Sequence, residues 1–119
     1  MNGEPNVLLK KSFAFGVRVF RLSRYLQQEH REFIVSKQLV RSGTAIGANA
    51  EEAVGGMSKA DFSHKISIAY KEARETSYWL RLLRAADYLS EHQFESIHPE
   101  CQELCKILFS ILRTSGRTQ

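Results

Sequence analysis

The chain has 119 residues, of which 43% are hydrophobic and 25% charged; that length fits one domain, and the composition is far from that of chains that stay disordered. The formal net charge is +4, which permits attraction to nucleic acid or to an acidic partner without establishing either. No apolar run approaches the roughly 18 residues needed to cross a bilayer, and Met1 to Asn6 is polar rather than a signal sequence, so a cytoplasmic protein with no membrane partner is expected.

The first predicted helix covers about residues 7–28. Leu8, Phe15, Val19, Leu22 and Leu26 fall on one stripe at helical spacing, with Phe13 and Phe20 beside it and Gly16 inside. The polar run from Gln27 to Glu32 breaks that period, as a short connection between antiparallel helices does. The second helix, about 33–54, has an inward stripe of Val35, Leu39, Ser42, Ile46, Asn49 and Ala53, with Ala45 and Ala48 alongside. Side chains this small let a neighbouring backbone approach closely, which places the helix centrally. Gly55 and Gly56 end it.

The third helix, about 59–88, opens on the clearest local signal in the chain. Ser58 is in N-cap position, Asp61 stands three residues on, and Met57 and Phe62 are spaced as a hydrophobic staple. Phe62, Ile66, Ala69, Ala73, Thr76, Leu80 and Leu83 then follow in steps of three and four, a seam about 33 Å long. Ser90 repeats the capping pattern with Gln93, and Leu89 pairs with Phe94, so the fourth helix covers about 91–114. Its seam is Phe94, Ile97, Cys101, Leu104, Leu108 and Ile111. Pro99 lacks a backbone donor, which predicts a kink or short break near His98, and the polar tail from Thr114 to Gln119 is expected to fray. With no internal repeat and short connections, the expected fold is all-α: one antiparallel, up-down-up-down four-helix bundle over residues 1–119.

The basic excess sits on the first and third helices. Lys11, Arg18 and Arg21 lie away from the apolar stripe of the first, while Lys71, Arg74, Tyr78 and Arg81 form a stripe on the third with an aromatic inside it. Cations with a stacking surface are what sequence-tolerant binding to RNA or single strands requires, so these seven form the candidate nucleic-acid surface; an ordinary solvated face is the alternative. A second set, Arg41, Ser42, Asn49, Glu52, Glu72 and Glu75, lies near the small-residue seam. There it reads as helix-to-helix and subunit-to-subunit hydrogen bonding rather than as a catalytic or ligand cluster. Trp79 near the end of the third helix is placed for a subunit contact.

Metal and catalytic chemistry find little support. Glu95 with His98, and Asp61 with His64, imitate a Glu-x-x-His step, but the second pair points away from its seam and does not converge with the first. His98, Cys101 and Cys105 share a face without a fourth ligand, and the i,i+4 cysteines suit reduced thiols better than a disulfide. No phosphate-binding glycine loop and no positioned nucleophile occur. The expectation is no catalytic residue, no metal and no cofactor.

The run from Leu39 to Ala53 with Arg41-Ser42, Ala45-Ile46, Asn49 and Glu52-Ala53, then Ser58 to Phe62, then Glu72 to Leu80 with Glu72 and Glu75, resembles a bacterial family of four-helix-bundle proteins. These proteins were first noticed as open reading frames in intervening sequences of 23S ribosomal RNA genes. The resemblance spans nearly the whole chain. A more distant relative of that family is the accessory variability determinant of diversity-generating retroelements, which assembles with a reverse transcriptase and its RNA. The resemblance implies an up-down bundle, a homo-oligomer that is typically a ring-shaped pentamer, a nucleic-acid partner or nucleic-acid enzyme as a candidate, and no established enzymatic activity. Gly55-Gly56-Met57 departs from the more basic turn usual in the family.

Overall fold

The computed structural model describes residues 3–117, all of them in four helices and the three connections between them. They are α1 (Gly3–His30), α2 (Val35–Val54), α3 (Lys59–Ala85) and α4 (Glu91–Arg117). Together they form a rod with principal extents of 46 × 21 × 19 Å.

Pairs of contacting residues fix the topology. Ser23 meets Ser36, Val19 lies against Gly43 and Ser12 against Gly47, so α1 and α2 run in opposite directions. Thr76 meets Ser42 while Lys65 meets Glu52, and Ser77 meets His98 while Tyr70 meets Phe109, which makes α2/α3 and α3/α4 antiparallel as well. Each helix packs on two neighbours, with α1 and α3 on one diagonal and α2 and α4 on the other. The α1/α4 seam is the thinnest of the four.

The predicted seams form the core. Ile66, Ala69, Ala73, Thr76, Leu80 and Leu83 of α3 are buried, as are Ile97, Cys101, Leu104, Leu108 and Ile111 of α4. In α2 the buried line is Ser36, Leu39, Ser42, Gly43, Ile46, Ala50 and Ala53. Asn49 is therefore not on the inward stripe: Ala50 takes the buried place, and Asn49 turns back to donate to the Ala45 carbonyl at 2.8 Å. Phe13 and Phe20 stay outside the core, 71% and 52% exposed.

Helix ends differ from expectation where local chemistry intervenes. The first helix starts at Gly3 rather than about residue 7 and stops at His30, where Arg31 takes a left-handed φ of 54° and the Glu32 N–H bonds back to Leu26. The second starts at Val35 rather than 33, because the Glu32 carboxylate accepts the N–H groups of Ile34, Val35 and Ser36 at 2.7–3.1 Å and so fixes the first turn. The third ends at Ala85, not 88, since Asp87 has a φ of 69° and the chain closes by the Tyr88 N–H to the Leu83 carbonyl. The fourth reaches Arg117, beyond 114; of the tail expected to fray, residues 118 and 119 lie outside the described residues.

Helix α4 is unbroken through Pro99. Pro99 faces solvent, where water can reach the carbonyl that lacks its usual donor, so a break is unnecessary. Both serine caps form: Ser58 Oγ accepts the Asp61 N–H at 3.1 Å, and Ser90 and Gln93 bond reciprocally at 2.8 and 3.1 Å. Only one staple does. Leu89 is buried and Phe94 is half-buried against the same core, as a staple requires, but Met57 is 94% exposed and clamps nothing.

Candidate functional site

The square arrangement of helices splits the seven basic-surface residues into separate regions. Lys11 and Arg18 turn toward α4. There Lys11 pairs with Glu103 at 3.1 Å, and Arg18 pairs with Glu100 at 2.7 Å while donating to the Ser96 carbonyl at 3.0 Å and to Ser96 Oγ at 2.9 Å. Their charge is met within the bundle, bracing its thinnest seam. Arg21 lies on the α1/α2 side, and Lys71, Arg74, Tyr78 and Arg81 lie on α3, which does not pack against α1.

On α3 the basic residues are organised by aromatic rings. The Arg74 guanidinium carbon lies 5.8 Å from the centre of the Tyr70 ring, and Arg74 also donates to the Tyr70 hydroxyl at 2.9 Å, a bond that raises its pKa further. Arg81 lies 5.8 Å from the Tyr78 ring. Across the seam Arg113 lies 5.9 Å from Phe109, whose ring centre is 5.8 Å from that of Tyr70. Among the described residues, no ion pair engages Lys71, Arg74, Arg81 or Arg113. Tyr70, Phe109 and Arg113 were missed from sequence. Their signal was an arginine four residues after an aromatic, at 70/74 and again at 109/113, with 78/81 one residue closer.

The second set also divides. Arg41 reaches from α2 to both carboxylates of α3, Glu72 at 3.2 Å and Glu75, while Trp79 Nε1 donates to Glu75 at 2.9 Å. This cluster lies at the surface, with the Arg41 side chain 48% exposed. Arg41 first, and the Trp79 N–H after it, hold the Glu75 carboxyl below the usual carboxylate range, and the same contact raises Arg41. An ion-paired carboxylate of lowered basicity is a poor general base. Ser42 is buried and lies 2.8 Å from Thr76 Oγ1. Glu52 is an exposed partner of Lys65 at 2.7 Å. Trp79 is half-buried, edge-on to Tyr78.

At the α3/α4 seam, Ser77 Oγ and His98 Nε2 are 2.9 Å apart and Phe94 stacks on the imidazole with centroids 4.5 Å apart. Burial and the Arg81 charge lower the His98 pKa. Cys101 donates to the Ala73 carbonyl at 3.3 Å; its contact with Cys105, with burial, pushes its pKa up, whereas Cys105 is lowered by the same contact. Among the described residues no three His, Cys, Asp or Glu side chains are grouped to hold a metal.

On the opposite side of the bundle, α1 and α2 enclose an open groove of about 550 Å³. Phe13, Val17 and Phe20 supply its apolar wall, Thr44, Gly47 and Ala48 its floor, and Arg21 and Glu51 line it as charged groups. Gly16 stands between the two phenylalanines, and a Cβ placed on it would meet nothing within 4 Å.

None of the four helices is long and apolar enough, over the described residues, to cross a membrane. No curated protein matches the chain. The chain is similar to a protein of unknown function from the S23 ribosomal protein family of Bacteroides thetaiotaomicron VPI-5482, solved at 1.70 Å, with 47% identity over 92% of this chain and 98% of that one and a TM-score of 0.90. Residues 4–110 match the family described as 23S rRNA-intervening sequence protein. With that match covering most of its length and the same helical architecture in its relative, the chain belongs to the 23S rRNA-intervening sequence protein family.

Proposed function

We propose that this protein is a non-enzymatic, homo-oligomeric helical bundle that acts as a binding or scaffold module for nucleic acid or for an enzyme that acts on nucleic acid. The observation that carries this reading is the contrast between its two opposite sides. One presents an apolar groove between α1 and α2, and the other presents arginines held over aromatic rings on α3 and α4. The first suits packing against another subunit; the second suits a polyanion.

Gly16 supports the assembly half. A glycine inside an exposed helix costs about 1 kcal/mol relative to alanine, and nothing inside this subunit needs the space at Gly16. Space between Phe13 and Phe20 is what a neighbouring helix needs to approach closely. The family resemblance favours a ring-shaped pentamer. Sedimentation velocity at micromolar concentration is expected to give one oligomeric species for the parent and dissociation for Phe13→Ser/Phe20→Ser. A parent that remains monomeric would overturn the assembly reading.

The ion pairing of Glu72 and Glu75 with Arg41 disfavours an enzyme that uses these carboxylates. A protein-protein scaffold with no affinity for nucleic acid is the competing reading, and salt-dependent binding decides between them. If neither RNA nor single-stranded DNA binds at low salt, the nucleic-acid half fails.

A further inference from the structure

We infer that the α3/α4 side is a binding site for single-stranded nucleic acid, in which Tyr78 and Phe109 stack on bases while Arg74, Arg81 and Arg113 neutralise phosphates. This rests on the nucleic-acid reading above and adds to it a strand class, a second helix and a division of labour between residues.

At 3.6 residues per turn, Tyr70, Arg74, Tyr78 and Arg81 fall within an arc of about 80° on α3. The Tyr70 edge of that arc borders α4, because Tyr70 touches Phe109 and Ser77 touches His98, while Tyr78 at the far edge lies against Trp79. From Tyr70 to Arg81 the helix rises about 16 Å, and Arg113 extends the line past Tyr70 on the antiparallel neighbour. The result is a strip along the outer face of α3 that reaches α4 at Phe109, in which cations and rings recur together, rather than one basic spot. Among the described residues, all three arginines that lie over an aromatic ring are on this one side.

A solvated basic face would not need the rings. Tyr78 and Phe109 are each 49% exposed, so half of two large aromatic surfaces is left in water beside a cation. Packing does not explain that exposure, since the α3 and α4 seams are already filled by Ala69, Ala73, Leu80, Leu104 and Leu108. Stacking on unpaired bases does explain it, because every base offers a flat face to an aromatic ring. A duplex hides those faces, so the same strip favours single strands over double strands. Glu95, on α4, makes no ion pair with Arg81 among the described residues, leaving that cation available to phosphate.

Fluorescence anisotropy with labelled oligo-U and oligo-dT, and with a hairpin duplex of matched charge, tests the inference on the full-length protein. The parent is expected to bind both single strands in a salt-dependent way and the duplex at least about tenfold more weakly. Phe109→Leu and Tyr78→Leu leave the charge unchanged and are expected to lower single-strand affinity by about tenfold each while leaving duplex affinity as it was. Arg74→Gln with Arg113→Gln is expected to lower affinity for all three probes and to flatten the single-strand salt slope by about 1.4. Circular dichroism confirms that each variant keeps its helices. Equal binding of duplex and single strand, or ring variants that bind like the parent, overturns this inference while leaving a charge-driven nucleic-acid function intact. No salt-dependent binding of any probe overturns both.

Discussion

Gly43 of α2 lies so close to Val19 of α1 that a Cβ added to it would stand 2.6 Å from Val19 Cγ1. Both residues are buried midway along the α1/α2 seam, so neither can move without opening it. Gly43→Ala is therefore expected to destabilise the bundle by about 1–3 kcal/mol, the usual cost of overpacking. Gly16→Ala has the opposite sign. It meets nothing inside the subunit and is expected to add about 1 kcal/mol to monomer stability while weakening assembly. Urea denaturation of the two variants, with sedimentation of the second, checks the pair.

Ser42 and Thr76 tie α2 to α3 inside the core, and both side chains have no exposed surface. Each hydroxyl also reaches a carbonyl of its own helix, Leu39 at 3.3 Å and Glu72 at 2.8 Å. Thr76→Val is expected to cost about 1–3 kcal/mol by stranding Ser42 with one partner fewer. In the double variant Ser42→Ala/Thr76→Val the loss should fall short of the sum of the single losses, because no polar group is then stranded. A double-mutant cycle in urea measures the difference.

The lowered pKa of His98 makes stability depend on pH. In the fold the imidazole resists protonation, while the unfolded chain takes up the proton at the ordinary value of 6.5. Stability is therefore full above that value and falls as the pH drops below it, because the unfolded state then binds more protons. His98→Gln keeps a polar partner for Ser77 and is expected to flatten the thermal-stability profile between pH 7 and about pH 5. An unchanged slope in that window would assign the titration elsewhere.

Glu75 acts in a lower window. Its pKa is depressed by Arg41 and Trp79, so its contribution is complete above the ordinary value of 4.5 and disappears as acid protonates the folded form. Arg41 is half exposed, which limits the pair to about 1 kcal/mol or less at neutral pH. Arg41→Met is expected to lower the melting temperature slightly at pH 7 and to leave it equal to the parent once the pH is low enough to protonate Glu75 in the parent.

Much of the fold was legible because helices write their own period into the chain. The seams of α3 and α4 and the caps at Ser58 and Ser90 depend on residues within a few turns of one another, and these were read correctly. The cap at α2 was missed because Glu32 performs it from outside the residue types usual for that position. The ends at Arg31 and Asp87 were missed because neither residue is the glycine that ordinarily marks a left-handed backbone.

The candidate surfaces were less legible for a different reason. Periodicity tells which way a side chain points from its own helix, but not which neighbour it faces. Lys11 and Arg18 look free from α1 alone; only the placement of α4 brings Glu103 and Glu100 to them. Phe13 and Phe20 look like flanks of the core, and only the position of α2 turns them into the wall of a groove.

The sequence by itself therefore determined four amphipathic helices, their buried lines and their family, since these follow from local spacing and residue size. Tertiary structure decided which charges are neutralised and that the apolar groove and the basic aromatic strip occupy opposite sides. Those properties arise between helices, where residues 78 to 92 positions apart in the chain meet at a few ångströms.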